Sequence, residues 1–179
     1  MKATKRLTVS ALTVALGTVF MLIGAALEVL DLSAVAFASL LMVFIYIELG
    51  SPYTWLVWLA TSLATALIYP GSLLWLEYLV IFGIYPVIKG YIERTPRPLW
   101  IILKAVYAAI TFGVVMLGSE LILGIPFFEG DFFGLPMGAV IAVFAVLAVL
   151  AFLLYDLFIN VMVRFYLERL RGKIKHILK

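Results

Sequence analysis

Long stretches of this chain carry no charge at all. None falls between Arg6 and Glu28, between Asp31 and Glu48, between Glu48 and Glu77, between Lys104 and Glu120, or between Asp131 and Asp156. A helix needs about 20 apolar residues to cross the hydrocarbon core of a bilayer, and these intervals are dominated by Leu, Val, Ile, Ala and Phe. Of the 179 residues 66% are hydrophobic, and the mean hydropathy is +1.21. Soluble domains run at about 45–50% apolar, and a globule this small has too much surface to hide the excess. The sequence therefore reads as an all-α, multi-pass integral membrane protein of the cell membrane. It forms one domain over 1–179, with no room for a separate soluble catalytic or nucleotide-binding unit.

Six transmembrane helices are expected, over 7–27, 32–49, 54–69, 72–88, 99–124 and 137–163. Each break has a local cause. Glu28 and Asp31 interrupt the first apolar run, and Gly50-Ser51-Pro52 and Pro70-Gly71 are turn signals. Thr95-Pro96-Arg97-Pro98 cannot continue a helix, because proline lacks the backbone donor. Gly124-Ile125-Pro126 and Gly134-Leu135-Pro136 bracket the last loop. The third and fourth runs are short, and a re-entrant pair is the alternative there.

Charge fixes the orientation. The 13 Lys and Arg fall in three clusters: Lys2, Lys5 and Arg6; Lys89, Arg94, Arg97 and Lys104; and Arg164 through Lys179. With the N-terminus inside and six spans, every one lies on the cytoplasmic side, as basic residues of short loops do. Both termini are then cytoplasmic. The tail 164–179 is expected to continue the last helix as a basic interfacial segment with Leu167, Leu170, Ile174 and Ile177 on one face. Gly24-Ala25-Ala26 after a basic start resembles a processing site, but the apolar stretch is longer than a signal core, so the segment reads as a retained span.

The residues also exclude chemistry. There is no cysteine, and the single histidine is His176, which removes thiol sites, histidine metal clusters and Ser-His catalysis. No catalytic residue, metal or cofactor is expected, and the chain does not read as an enzyme. The net charge of +3 and pI near 9.2 reflect cytoplasmic basic residues, with no nucleic-acid partner implied.

Charge in hydrocarbon is costly, so polar residues in or near spans are the candidates for function. An inner group comprises Glu48, Lys104, Asp156 and Asn160. Asp156 lies about 12 Å along a helix from Arg164. This group is expected to tie helix ends together as a structural polar cluster, a proton or ion relay being the alternative. An outer group comprises Glu77 and Glu120, with Trp75 and Tyr78 nearby and Glu28 and Asp31 in the first outer loop. A carboxylate among aromatic rings can hold a neutral or cationic small molecule; an ordinary acidic outer surface is the other reading. Glu129, Asp131 and Phe127, Phe128, Phe132 and Phe133 suggest a loop folded over the outer face as a lid. On the first helix Ala11 and Ala15 form a small-residue stripe, suited either to internal packing or to docking of a partner helix.

The opening Lys5-Arg6-Leu7-Thr8-Val9-Ser10-Ala11-Leu12-Thr13-Val14-Ala15 resembles that of the substrate-binding S-components of energy-coupling factor transporters, six-helix proteins of similar length with both termini inside. The resemblance implies capture of a small molecule from the outer side, docking of a transmembrane coupling subunit on Ala11 and Ala15, and dependence on separate ATPases. The alternatives of similar layout are a non-transporting membrane scaffold, like the rod-shape-determining membrane subunits of bacteria, and a lipid-handling protein.

Overall fold

The structure, a computed structural model, describes residues 3–27, 30–124 and 136–172. Glu28, Glu129, Asp131, the four loop phenylalanines and His176 lie outside them, so the expected lid is among residues not described. Within the described residues six helices follow one another and no strand occurs: α1 (Ala3–Leu27), α2 (Asp31–Leu49), α3 (Ser51–Ile68), α4 (Leu74–Ile92), α5 (Arg97–Leu123) and α6 (Met137–Leu170). Five of them, all but α3, are long and apolar enough to cross a membrane. α3 is 18 residues long, and Thr54, Thr61, Ser62 and Thr65 are among its buried residues. Three of these hydroxyls donate to carbonyls one turn back: Thr54 to Gly50, Ser62 to Trp58 and Thr65 to Thr61, at 2.8–3.0 Å. Such bonds satisfy a buried hydroxyl locally and let a polar face pack.

The helices end where proline and glycine dictate. Gly50 turns the chain between α2 and α3 at φ +85°, and Gly124 closes α5 in the left-handed region at φ +65°. Pro96 stands in extended conformation just before α5. α4 runs further than the charge pattern indicated, extending through Lys89 to Ile92 rather than stopping at 88. α6 continues past Arg164 into the tail, in line with the helical extension expected there, with a π-helical turn over Tyr166–Leu170.

α1, α2 and α3 pack as one tight group around Met21, Val35, Met42, Ile45, Val57 and Tyr78. Glycine permits the approach: Gly24 faces the Ala34 side chain, and a Cβ on Gly17 would lie 3.2 Å from the Thr61 methyl. A second apolar cluster joins α2, α4, α5 and α6 through Val43, Tyr85, Ala108, Phe152, Tyr155 and Ile159. α6 is held along a narrow stripe, and only 11% of its most apolar stretch is buried. Its outward Leu147, Leu154 and Leu157 are exposed, like Ile101 and Ile110 of α5, as expected of helices in contact with lipid.

A cavity at the broken helix and a buried charge cluster

α4 is the irregular element, and its irregularity builds the site. Pro86 has no N–H, so the carbonyl of Phe82, four residues earlier, loses its helical donor; the Tyr155 hydroxyl donates to it at 3.1 Å. The preceding turn, Tyr78–Phe82, is wound as a π-helix, and the Gly83 amide reaches back to the Tyr78 carbonyl at 2.8 Å. Other helices supply further donors along this turn. Trp58 Nε1 of α3 donates to the Leu79 carbonyl at 3.1 Å. The Tyr107 hydroxyl of α5 donates to the carbonyls of Val80 and Ile81 at 3.1 and 2.9 Å. Side chains of α3, α5 and α6 thus converge on carbonyls 79–82. Irregular backbone among apolar helices is tolerated where neighbours re-satisfy it, and π turns recur at functional sites.

Beside this turn lies a cavity of about 510 Å³ between α2, α4, α5 and α6. Its wall is apolar and aromatic, with Phe37, Phe82, Phe112, Phe152 and Phe158, and its polar groups are Ser33, Glu77, Thr111 and Tyr155. A second space of about 400 Å³, lined by Asp31, Ser33, Ser72, Leu73 and Glu77, adjoins it at the start of α2 and α4. Glu77 lines both, so it stands at the junction between vestibule and cavity.

Below the aromatic floor comes charge. Tyr85 packs its ring on Phe152 and Tyr155, with centroids at 4.6 and 5.8 Å, and donates its hydroxyl to Asp156 Oδ1 at 2.5 Å. Lys89 Nζ donates to the same oxygen, and Lys104 Nζ donates to Oδ2 at 2.6 Å. Glu93 completes the group, 2.8 Å from Lys89 and 3.7 Å from Lys104. Asp156, Lys89 and Lys104 are all buried. Two ammonium groups face two carboxylates, so the cluster is neutral as a whole, which is how buried charge is tolerated. It joins α4, α5 and α6. A smaller space of about 180 Å³ beside it is lined by Tyr46, Lys89, Glu93 and Asn160.

The sequence candidates distribute as follows. Of the inner four, Asp156 and Lys104 meet directly. Glu48 lies elsewhere: it accepts hydrogen bonds from the Tyr166 hydroxyl and from Arg171 Nε, both at 3.1 Å, and so fastens the C-terminal end of α6 to α2. Asn160 is exposed, because the buried stripe of α6 runs through Phe152, Tyr155, Asp156 and Ile159 and leaves it at the edge. Of the outer group, Glu77 lines the cavity and Asp31 the vestibule. Trp75 instead donates its indole N–H to the Pro70 carbonyl at 3.0 Å. Tyr78 is buried in the α1–α2–α3 core. Glu120 is exposed and borders neither space. A helix turns about 100° per residue, so residues one or two positions from Glu77 cannot share its face. Ala11 and Ala15 are both exposed, on the side of α1 away from its packed residues Ser10, Thr13, Gly17 and Met21.

Lys89, Glu93 and Tyr85 were not singled out from the sequence. Their signal was present: Lys89 and Glu93 are spaced i, i+4, and Pro86 marks the break that aims them. Among the described residues no three His, Cys, Asp or Glu side chains gather as a metal site. The chain matches no family model, and comparison with curated proteins and with solved structures finds no similar chain.

Proposed function

We propose that this is a six-span membrane protein that captures a small, largely apolar molecule with a neutral or cationic head in the cavity beside the broken helix α4. The observation that carries the reading is the cavity itself. It has the volume of ligand pockets in general, apolar walls and few convergent polar groups, and one of those groups is a carboxylate on an apolar helix, where an ionisable residue is costly without a role. The exposed Ala11–Ala15 face of α1 is open to a helix of another subunit. This supports a capture subunit that hands its ligand to a separate coupling and ATPase assembly, as the resemblance to S-components implies.

The placement of charge supports the topology. Arg6 lies over the Tyr53 ring at 6.0 Å, which puts the starts of α1 and α3 at one end. The Arg171–Glu48, Lys89–Asp156 and Lys104–Asp156 pairs bring the ends of α2, α4 and α6 and the start of α5 to basic surroundings. Asp31 and Glu77 share the opposite vestibule. The chain has no cysteine, so single cysteines report cleanly. Gly71→Cys is expected to react with a membrane-impermeant thiol reagent in intact cells, and Arg94→Cys only after permeabilisation. Both positions are exposed. The reverse pattern would invert the topology.

Ligand capture is tested with a dodecylamine carrying a diazirine in its tail, and with the matching carboxylate, on detergent-solubilised protein. The amine is expected to label α6 saturably around Ala148–Tyr155 and to bind more tightly than the carboxylate. Glu77→Gln should weaken the amine by about 10–100-fold, since a hydrogen bond to a charged group contributes about 1.5–3 kcal/mol. Equal labelling by both probes, unchanged in Glu77→Gln, would remove Glu77 from the site.

A further inference from the structure

The residues lining the cavity differ in how exposed they are, and the exposed ones fall on one side. On the α4 and α5 side the wall is closed: Ala108 and Thr111 are buried, and Ile81 and Phe82 are half-buried. On α6 the residues turned toward that wall, Phe152 and Tyr155, are buried as well. The lining residues at the facing edges of α2 and α6 are open. Phe37 is 52% exposed and Leu154 67%, and Ala151 is exposed too; Leu32 and Ser33, also exposed, line the vestibule as well. Further along, Val43 and Ile159 of the same two helices are buried in one apolar cluster. The two helices therefore close on each other at the Asp156 level and leave a gap at the cavity level.

This gap opens sideways, through the faces of two helices whose outward residues are apolar. A molecule dissolved in water would meet Phe37 and Leu154, which line the cavity but not the vestibule, only after leaving water. One dissolved among lipid tails would be in contact with them already. The chemistry inside matches an amphiphile: aromatic and aliphatic walls for a chain, with Glu77 where the cavity meets the polar vestibule. Two long acyl chains exceed a pocket of about 510 Å³, which is the range of drug-sized ligands. Resting on the reading of this cavity as a capture site, we infer that its occupant is a membrane-dissolved, single-chain amphiphile with a neutral or cationic head. It reaches the cavity laterally between α2 and α6, with its head at Glu77.

The test uses the full chain in phosphatidylcholine vesicles, with the diazirine-tailed dodecylamine preloaded in the membrane, and reads the initial rate of cavity labelling. Leu154→Trp narrows the lateral gap at an exposed position, and Phe37→Ala widens it. Leu73→Trp obstructs the vestibule, which Leu73 lines without lining the cavity. The expected result is a several-fold slower rate in Leu154→Trp, a faster rate in Phe37→Ala and no change in Leu73→Trp. Because the two gap variants move in opposite directions, misfolding cannot mimic the pattern. Slowing confined to Leu73→Trp would mean that the ligand comes from the aqueous side, overturning the lateral route while leaving the capture site standing. Absence of saturable cavity labelling in every form, including the detergent-solubilised protein, would remove the capture site itself.

Discussion

Asp156→Ala is expected to cost about 3–5 kcal/mol of stability in detergent, the range for removing one partner of a buried charge pair. The wild-type cluster balances Lys89 and Lys104 against Asp156 and Glu93. Without Asp156, two buried ammonium groups share Glu93, which is 34% exposed at its side chain, and the Tyr85 hydroxyl loses its acceptor. Charge arithmetic then makes a second expectation of opposite sign. Adding Lys104→Met removes the surplus cation and leaves Lys89 with Glu93, its partner one turn away. The double variant should therefore be more stable than Asp156→Ala alone. Chemical unfolding of the four proteins forms a double-mutant cycle. A double variant no more stable than the single would show that the cluster does not act as a balanced unit. Unchanged stability with lost activity would favour a proton or ion relay over a structural tie.

Gly83→Val is expected to destabilise by about 1–3 kcal/mol, the usual cost of overpacking a close-packed site. A Cβ at Gly83 would stand 2.7 Å from the Tyr78 carbonyl oxygen, 2.8 Å from Trp58 Cδ1 and 2.9 Å from Tyr78 Cε1. The first of these is backbone, so the π turn must shift. The second belongs to the indole whose N–H holds the Leu79 carbonyl. A valine there pushes away the side chain that satisfies the turn and also adds bulk. Thermal unfolding in detergent, compared with Gly113→Val, checks the expectation, because a Cβ at Gly113 meets nothing within 4 Å. Equal melting of the two variants would show that the turn has slack.

The parts of this fold that the sequence reveals are those set by local rules. Charge-free apolar runs placed the helices, and the breaks fell at Gly50, Pro96 and Gly124, where a positive φ or a missing donor leaves the backbone few options. The pairing of Asp156 with Lys104 was legible from depth, since both lie a similar distance inside the basic end of their helices. The rest depends on rotation and on where a helix stops. Reading Lys89 as a loop residue hid it, and one further turn of α4 turns it into a second partner of Asp156. Tyr78 and Trp75 looked like companions of Glu77 because they are near it in sequence, yet the helical turn sends one into the core and the other to Pro70. Glu48 was grouped with Asp156 by depth alone, but helix rotation faces it toward Tyr166 and Arg171. The π turn follows from Pro86 together with donors on three other helices, and only tertiary structure brings those together.

The capture reading is tested most directly by mass spectrometry of small molecules retained by the purified protein, wild type against Ala148→Trp. Ala148 lines the cavity and is half-buried, so tryptophan there fills the space from a position about two turns of α6 before Asp156. The wild-type protein is expected to carry a single-chain amphiphile with a neutral or basic head that Ala148→Trp lacks, while lipid bound around the outside of the helices is the same in both. Identical small-molecule content in the two proteins would contradict it.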